Sequence, residues 1–193
     1  FIMPPNILDW VPRTDLVWFI IDAVKAIDLR PFRIKYREDG VGHPAYNPEI
    51  MLTLLIYAYS FGETSSRNIE RLCERDIAFR VITANKKPDH SVIARFRKQN
   101  EAEIGEIFLE VLRLCKEAGL LKIGIIAVDG TKFQGNAALS ANRTEEKLRE
   151  IVEKTLEEAK KTDKIEDDLY GNKRGDELPE ELCNEKSRIS RIK

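Results

Sequence analysis

The sequence predicts a mainly α protein in which a helical bundle over residues 1–121 leads into the incomplete start of an α/β domain over 122–193. Three observations predict it. Up to Gly119, apolar residues recur at helical spacing behind recognisable N-caps. At 123–128 the run IGIIAV is nearly continuous and β-branched, as in a buried strand. From 144 to 163 a Glu- and Lys-rich stretch keeps only the thin apolar seam Leu148, Ile151, Val152 and Leu156.

The first helix follows Thr14 or Asp15 as its cap, with Leu16, Phe19, Ile20, Val24 and Ile27 as its stripe. A loop rich in Pro, Gly and charge covers 31–44. Asn47-Pro48-Glu49 is a strong helix start: Asn accepts from free amides, Pro tolerates the first turn, and Glu favours the positive end of the dipole. That helix is expected over 48–61, ended by Gly62. Its apolar residues, from Ile50 to Phe61, lie nearly all round it, which marks the central helix of a bundle.

Ser65 or Ser66 caps the next helix, with Ile69, Leu72 and Cys73 inward and Arg67, Arg71, Glu74 and Arg75 toward water. A shorter helix is expected over 76–83. Pro88-Asp89-His90-Ser91 opens another, carrying Val92, Ile93 and Phe96, with Arg95, Arg97 and Lys98 at its later turns. The pattern restarts near Asn100, runs through Cys115 and stops at Gly119. A second strand is expected over 131–137, and the charged helix over 144–163 requires a partner for its seam. The tail 163–193 alternates charge clusters with Gly171, Gly175 and Pro179, without a closing strand.

A formal net charge of −1 gives no global sign of a polyanionic partner, so any such case rests on where charges sit. Residues 67–98 hold nine basic against four acidic side chains, and this local balance of +5 concentrates basic character there. The three cysteines, Cys73, Cys115 and Cys183, are odd in number and widely spaced, which favours reduced residues in a cytoplasmic setting. The apolar runs at 16–21 and 51–58 fall far short of the ~20 residues that span a bilayer, so no membrane association is expected.

The chemistry-bearing segment is VDGTKFQGNA at 128–137. An acid at the end of a buried strand, followed by a turn glycine, can present a carboxylate to a divalent metal. On spacing alone, an Asp that merely begins a turn is the better reading, and it is the surrounding pattern that favours the metal ligand. This run resembles the signature around the first acid of the RNase H-like catalytic domain in insertion-sequence transposases of the DDE type. Upstream, YNPEIML at 46–52, YAY at 57–59, SSRNIE at 65–70 and PDHSVIARFR at 88–97 occur in the order of that family's helical N-terminal region. Downstream, GDELPEEL at 175–182 resembles the charged segment that interrupts the catalytic domain.

The resemblance implies an N-terminal transposase portion that binds the terminal inverted repeats of an insertion sequence as double-stranded DNA, with homodimerisation as a further expectation. It also implies metal-dependent strand cleavage and transfer by the full-length family. There three carboxylates hold Mg²⁺ or Mn²⁺, and Asp129 matches the first. The second Asp and the Glu are not assigned to Asp163, Asp167, Asp168 or Glu180, which are read as a solvated charge run. A single carboxylate binds Mg²⁺ weakly, so the 193-residue chain is expected to hold no stable metal and to cut no DNA.

Arg67, Arg71, Arg95, Arg97 and Lys98 are the expected DNA contacts, and Lys132 is read either as a phosphate contact beside Asp129 or as a solvated strand residue. Two helices with Arg on their outer faces suit phosphate binding and major-groove entry, whereas interspersed Arg and Glu also describe an ordinary solvated face. Arg75 and Arg80 are read as pairing with neighbouring acids. His90 is read as a capping-turn residue, because no Cys or second His lies at zinc spacing. Two rival functions stand beside this one: a non-catalytic truncated transposase that competes for the repeats, and a helical interaction module without DNA affinity.

Overall fold

A computed structural model describes residues 6–33, 46–120 and 145–177, and every regular element among them is helical. A 3-10 turn, Ile7–Trp10, precedes α1 (Leu16–Ala26), the short α2 (Arg30–Arg33), α3 (Pro48–Ser60) and α4 (Ser66–Arg75). Then come α5 (Ile77–Ile82), α6 (His90–Gln99), α7 (Glu101–Glu117) and the long α8 (Glu145–Tyr170). The strands expected at 123–128 and 131–137, and with them the RNase H-like start, lie outside the described residues.

The helices begin where side chains can satisfy free amides. Asp15 accepts from the Val17 amide at 2.9 Å, Asn47 from Glu49 at 3.0 Å, Ser65 from Asn68 at 3.1 Å and Asp89 from Ser91 at 2.8 Å. Asp76 both ends α4 and caps α5, accepting from Ala78 at 2.8 Å and Phe79 at 3.2 Å.

Helix α3 is the centre, with every residue from Met51 through Ser60 buried. Its polar members are satisfied by its own turns: Thr53 Oγ1 donates to the Glu49 carbonyl at 2.8 Å and Ser60 Oγ to Tyr57 at 2.7 Å. Around it stand α1, α5 and α7, tied in by Tyr57 against Phe79 and Tyr59 against Phe108, with ring centroids 5.2 and 5.6 Å apart. Tyr57 also donates from its hydroxyl to the α1 cap Asp15 at 3.2 Å. Burial, reinforced by that carboxylate, pushes the Tyr57 phenol well above its ordinary pKa.

The partner that the charged helix requires is α7. Leu148, Val152, Leu156 and Ala159 join one apolar cluster that also holds the α1, α3 and α7 core. Salt bridges Arg149–Glu106 at 2.9 Å and Lys160–Glu101 at 2.5 Å, with Arg113–Glu145, border the contact. Gly105 of α7 faces this seam, where an added Cβ would meet Leu156 at 3.7 Å and Val152 at 3.8 Å, ordinary contact distances.

At three places the helix boundaries or the apolar core depart from the sequence expectations. α2 forms at the edge of the expected 31–44 loop. α8 continues past 163 to Tyr170 and stops at Gly171, whose φ is +58°. Phe61, expected in the core, is 57% exposed because α3 ends at Ser60 and the chain turns through Gly62. Cys73 and Cys115 are buried free thiols, pushed by burial up to about 12 and about 11, while Cys183 lies outside the described residues. No described helix is long and apolar enough to cross a membrane.

Two substitutions test this packing by urea unfolding. Leu54→Ala, at a fully buried α3 position, is expected to cost about 2–5 kcal/mol through lost burial and a cavity. Gly105→Ala is expected to stabilise by about 0.5–1 kcal/mol, since it restores helix propensity where a methyl group fits.

Candidate nucleic-acid interface

Helix α4 begins with two serines and an arginine, and each engages the far end of the chain. The Ser65 hydroxyl donates to Glu166 at 2.7 and 2.9 Å, while Ser66 donates to Asp163 from its amide at 2.9 Å and its hydroxyl at 2.8 Å. A helix N-terminus presents unpaired N–H groups and a partial positive charge, so a carboxylate is the natural occupant.

Arg67 and Arg97 close the same cradle. Arg67, 2% exposed, donates to the Lys173 carbonyl at 2.9 Å and the Gly171 carbonyl at 2.5 Å, and pairs with Asp167 at 2.8 Å. Arg97, 3% exposed, donates to the Thr64 carbonyl at 3.0 Å, to Asp163 at 3.1 Å and to the Ser66 hydroxyl. Its guanidinium stands 6.0 Å from the centroid of the Tyr59 ring. Burial pushes the Tyr59 phenol up to about 12, with Arg97 opposing that rise.

A second set of pairs continues along the same face of α4, where Arg67, Arg71 and Arg75 recur every four residues. Asp176 lies 3.3 Å from Arg71 and 3.1 Å from Arg75. Arg174 in turn holds Asp176 at 2.5 Å and Glu74 at 2.9 Å, and its hydrogen bonds pull both carboxyls below their ordinary range. The turn that delivers Asp176 passes through Gly175 at φ +86°, where a Cβ would strike the Tyr170 ring at 2.9 Å.

The expected DNA contacts therefore separate into two groups. Arg67, placed toward water by its sequence spacing, is buried instead, and so is Arg97; Arg71 is half-buried against Asp176. The reason is long-range, since residues 163–176 cover the face that α4 alone would expose. Asp163 likewise leaves the expected solvated run and becomes a largely buried acceptor. Arg95 and Lys98 remain exposed on α6, on one stripe with Ser91 and opposite Ile93 and Arg97. Asp129 and Lys132 lie outside the described residues. Arg75 does pair with an acid, though one remote in sequence, and Arg80 donates to Asn85 at 2.9 Å.

Among the described residues, Glu70, Asp89 and His90 form a group close enough to share a metal ion. The geometry is that of capping. One Glu70 oxygen takes the His90 amide at 3.0 Å and contacts its Nδ1 at 2.7 Å, Asp89 accepts from Ser91, and Arg174 stands 3.7 Å from the other Glu70 oxygen. Arg174 thus already places a positive charge beside Glu70.

Residues 5–99 match a family model described as Transposase domain (DUF772). No curated protein and no solved structure matches the chain.

Arg97→Ala is expected to destabilise the protein by about 3–5 kcal/mol in urea unfolding, because it leaves buried Asp163 without its cation. Arg95→Ala, on the exposed stripe, should stay within about 0.5 kcal/mol of the parent. The Arg174 pairs carry a pH signature of defined sign. Their carboxyls are depressed in the folded state, so the stability they add is present above the unfolded values of about 4 and is lost as pH falls through the folded ones. Arg174→Ala is thus expected to lower the urea midpoint at neutral pH and to converge on the parent as pH falls through the depressed folded values of the two carboxyls.

Proposed function

We propose, on the premise that residues 5–99 belong with the transposase domains of the DUF772 family, that this chain is a DNA-engaging portion of a transposase. Its target in this reading is duplex DNA at the terminal inverted repeats of an insertion sequence. The family match carries the reading, and α6 supplies chemistry suited to it. Arg95 and Lys98 sit one turn apart on an exposed helix face, with the Ser91 hydroxyl on the same stripe, a set able to bond phosphate oxygens.

Asp129 belongs to this proposal as the first of three carboxylates by resemblance, with Lys132 as a nearby phosphate contact. Bound Mg²⁺ or Mn²⁺ would supply charge stabilisation at the scissile phosphate in the full-length family. This chain contributes one such carboxylate by motif, and its own part in the proposal is recognition, self-association and positioning of the duplex.

Fluorescence anisotropy with a duplex carrying the terminal repeats, taken across a salt series, tests the reading. Affinity is expected to fall steeply with salt, and Arg95→Ala with Lys98→Ala should weaken binding and flatten the log–log slope by about 0.9 for each lost phosphate contact. The absence of any salt-sensitive duplex binding would sink the proposal. Incubation of nicked and intact duplex with Mg²⁺ or Mn²⁺ is expected to show binding without cleavage by the 193 residues.

A further inference from the structure

Five cationic or polar features of the α4–α6 junction are ones that bind phosphate elsewhere in protein chemistry: a helix N-terminus, two serine hydroxyls, and the guanidinium groups of Arg67 and Arg97. Each faces a carboxylate or carbonyl from 163–176. Along α4 the series continues, with Arg71 and Arg75 both turned to Asp176. An arginine stripe of helical period ending in an anion cradle is a track for a polyanion, and here acids of the same chain line it from end to end.

The segment that supplies those acids is attached in an unusual way. Apolar burial in α8 stops at Ala159, and beyond it Ile165, Leu169 and Tyr170 are 59%, 68% and 44% exposed. Residues 163–176 contribute no side chain to the apolar core cluster, and they are joined to α4 and α6 by ion pairs and hydrogen bonds. Buried ion pairs are close to neutral in net stability, because desolvation offsets most of their attraction. Replacing these carboxylates by phosphates keeps every arginine paired.

We propose that residues 163–176 are an autoinhibitory cap that mimics a DNA backbone, and that duplex DNA displaces it to reach Arg67, Arg71 and Arg97. The inference rests on the DNA-binding reading above and adds to it a second, covered contact surface beside the exposed Arg95 and Lys98. In the closed state only that outer stripe meets phosphate. In the open state α8 stays docked through Leu148, Val152 and Leu156, while its end swings away beyond Ala159.

The test compares duplex binding by the full chain and by an Asp163→Asn, Glu166→Gln, Asp176→Asn variant across a salt series, with circular dichroism confirming that both keep their helices. The variant is expected to bind at least tenfold tighter at a given salt concentration, with a log–log slope steeper by about 0.9 for each freed arginine contact. A helical variant whose affinity and slope equal the parent's overturns the cap and leaves the DNA reading standing. No salt-sensitive binding by either protein overturns both. Hydrogen exchange on the unmodified chain gives a readout independent of the variant's folding. Saturating duplex should speed exchange at the amides of 163–170, and unchanged or slower exchange there overturns the displacement.

Discussion

The Asp163 carboxylate accepts from the Ser66 amide and hydroxyl and from Arg97, and through it three helices remote in sequence become one junction. Ser66 is the first residue of α4, Arg97 stands near the end of α6, and Asp163 lies past the last buried apolar residue of α8. Two guanidinium groups can be buried beside this point only because acids and carbonyls arrive there too. An arginine removed from water without partners would cost several kcal/mol. The positions of Arg67, Arg97, Glu166 and the turn at 171–177 all follow from that requirement.

The fold was legible where local chemistry is sufficient. Asp15, Asn47, Ser65 and Asp89 cap the helices that their spacing assigns them, since a cap bonds within three residues and owes nothing to the rest of the chain. The all-round apolar character of α3 told its central place for a similar reason: a helix without a polar face must be enclosed. The extension of α8 to Tyr170 was not legible, because Lys160 to Glu166 has the composition of an ordinary solvated stretch. The partners it meets there belong to α4, far away in sequence.

The site was legible only in part, and the division has a physical basis. Arg95 and Lys98 lie outward as their helical phase predicts, because nothing described covers that face. Arg67 shares the outward phase of Arg71 and Arg75 and is nonetheless buried, because phase reports where a side chain points and not what the chain later lays over it. The signal available was complementarity: a stripe of arginines at 67, 71 and 75 and a cluster of acids at 163, 166, 167 and 176 within one nearly neutral chain.

That near-neutrality has a mechanical meaning. A surplus of +5 over 67–98 and a net charge of −1 overall require that compensating acids sit elsewhere, and the structure brings several of them onto the surplus itself. Charges paired this way project little field into solvent, so long-range steering of a polyanion is weak while the pairs hold. The same pairs exchange readily for others of like geometry, since an arginine bonds carboxylate and phosphate oxygens in the same forked manner. With α8 anchored by Leu148, Val152, Leu156 and Ala159 and its end held by ion pairs and hydrogen bonds, the apolar half fixes where the acidic half returns. A cap built so is retained near its track even when displaced, and its acids compete at a high local concentration with any incoming backbone.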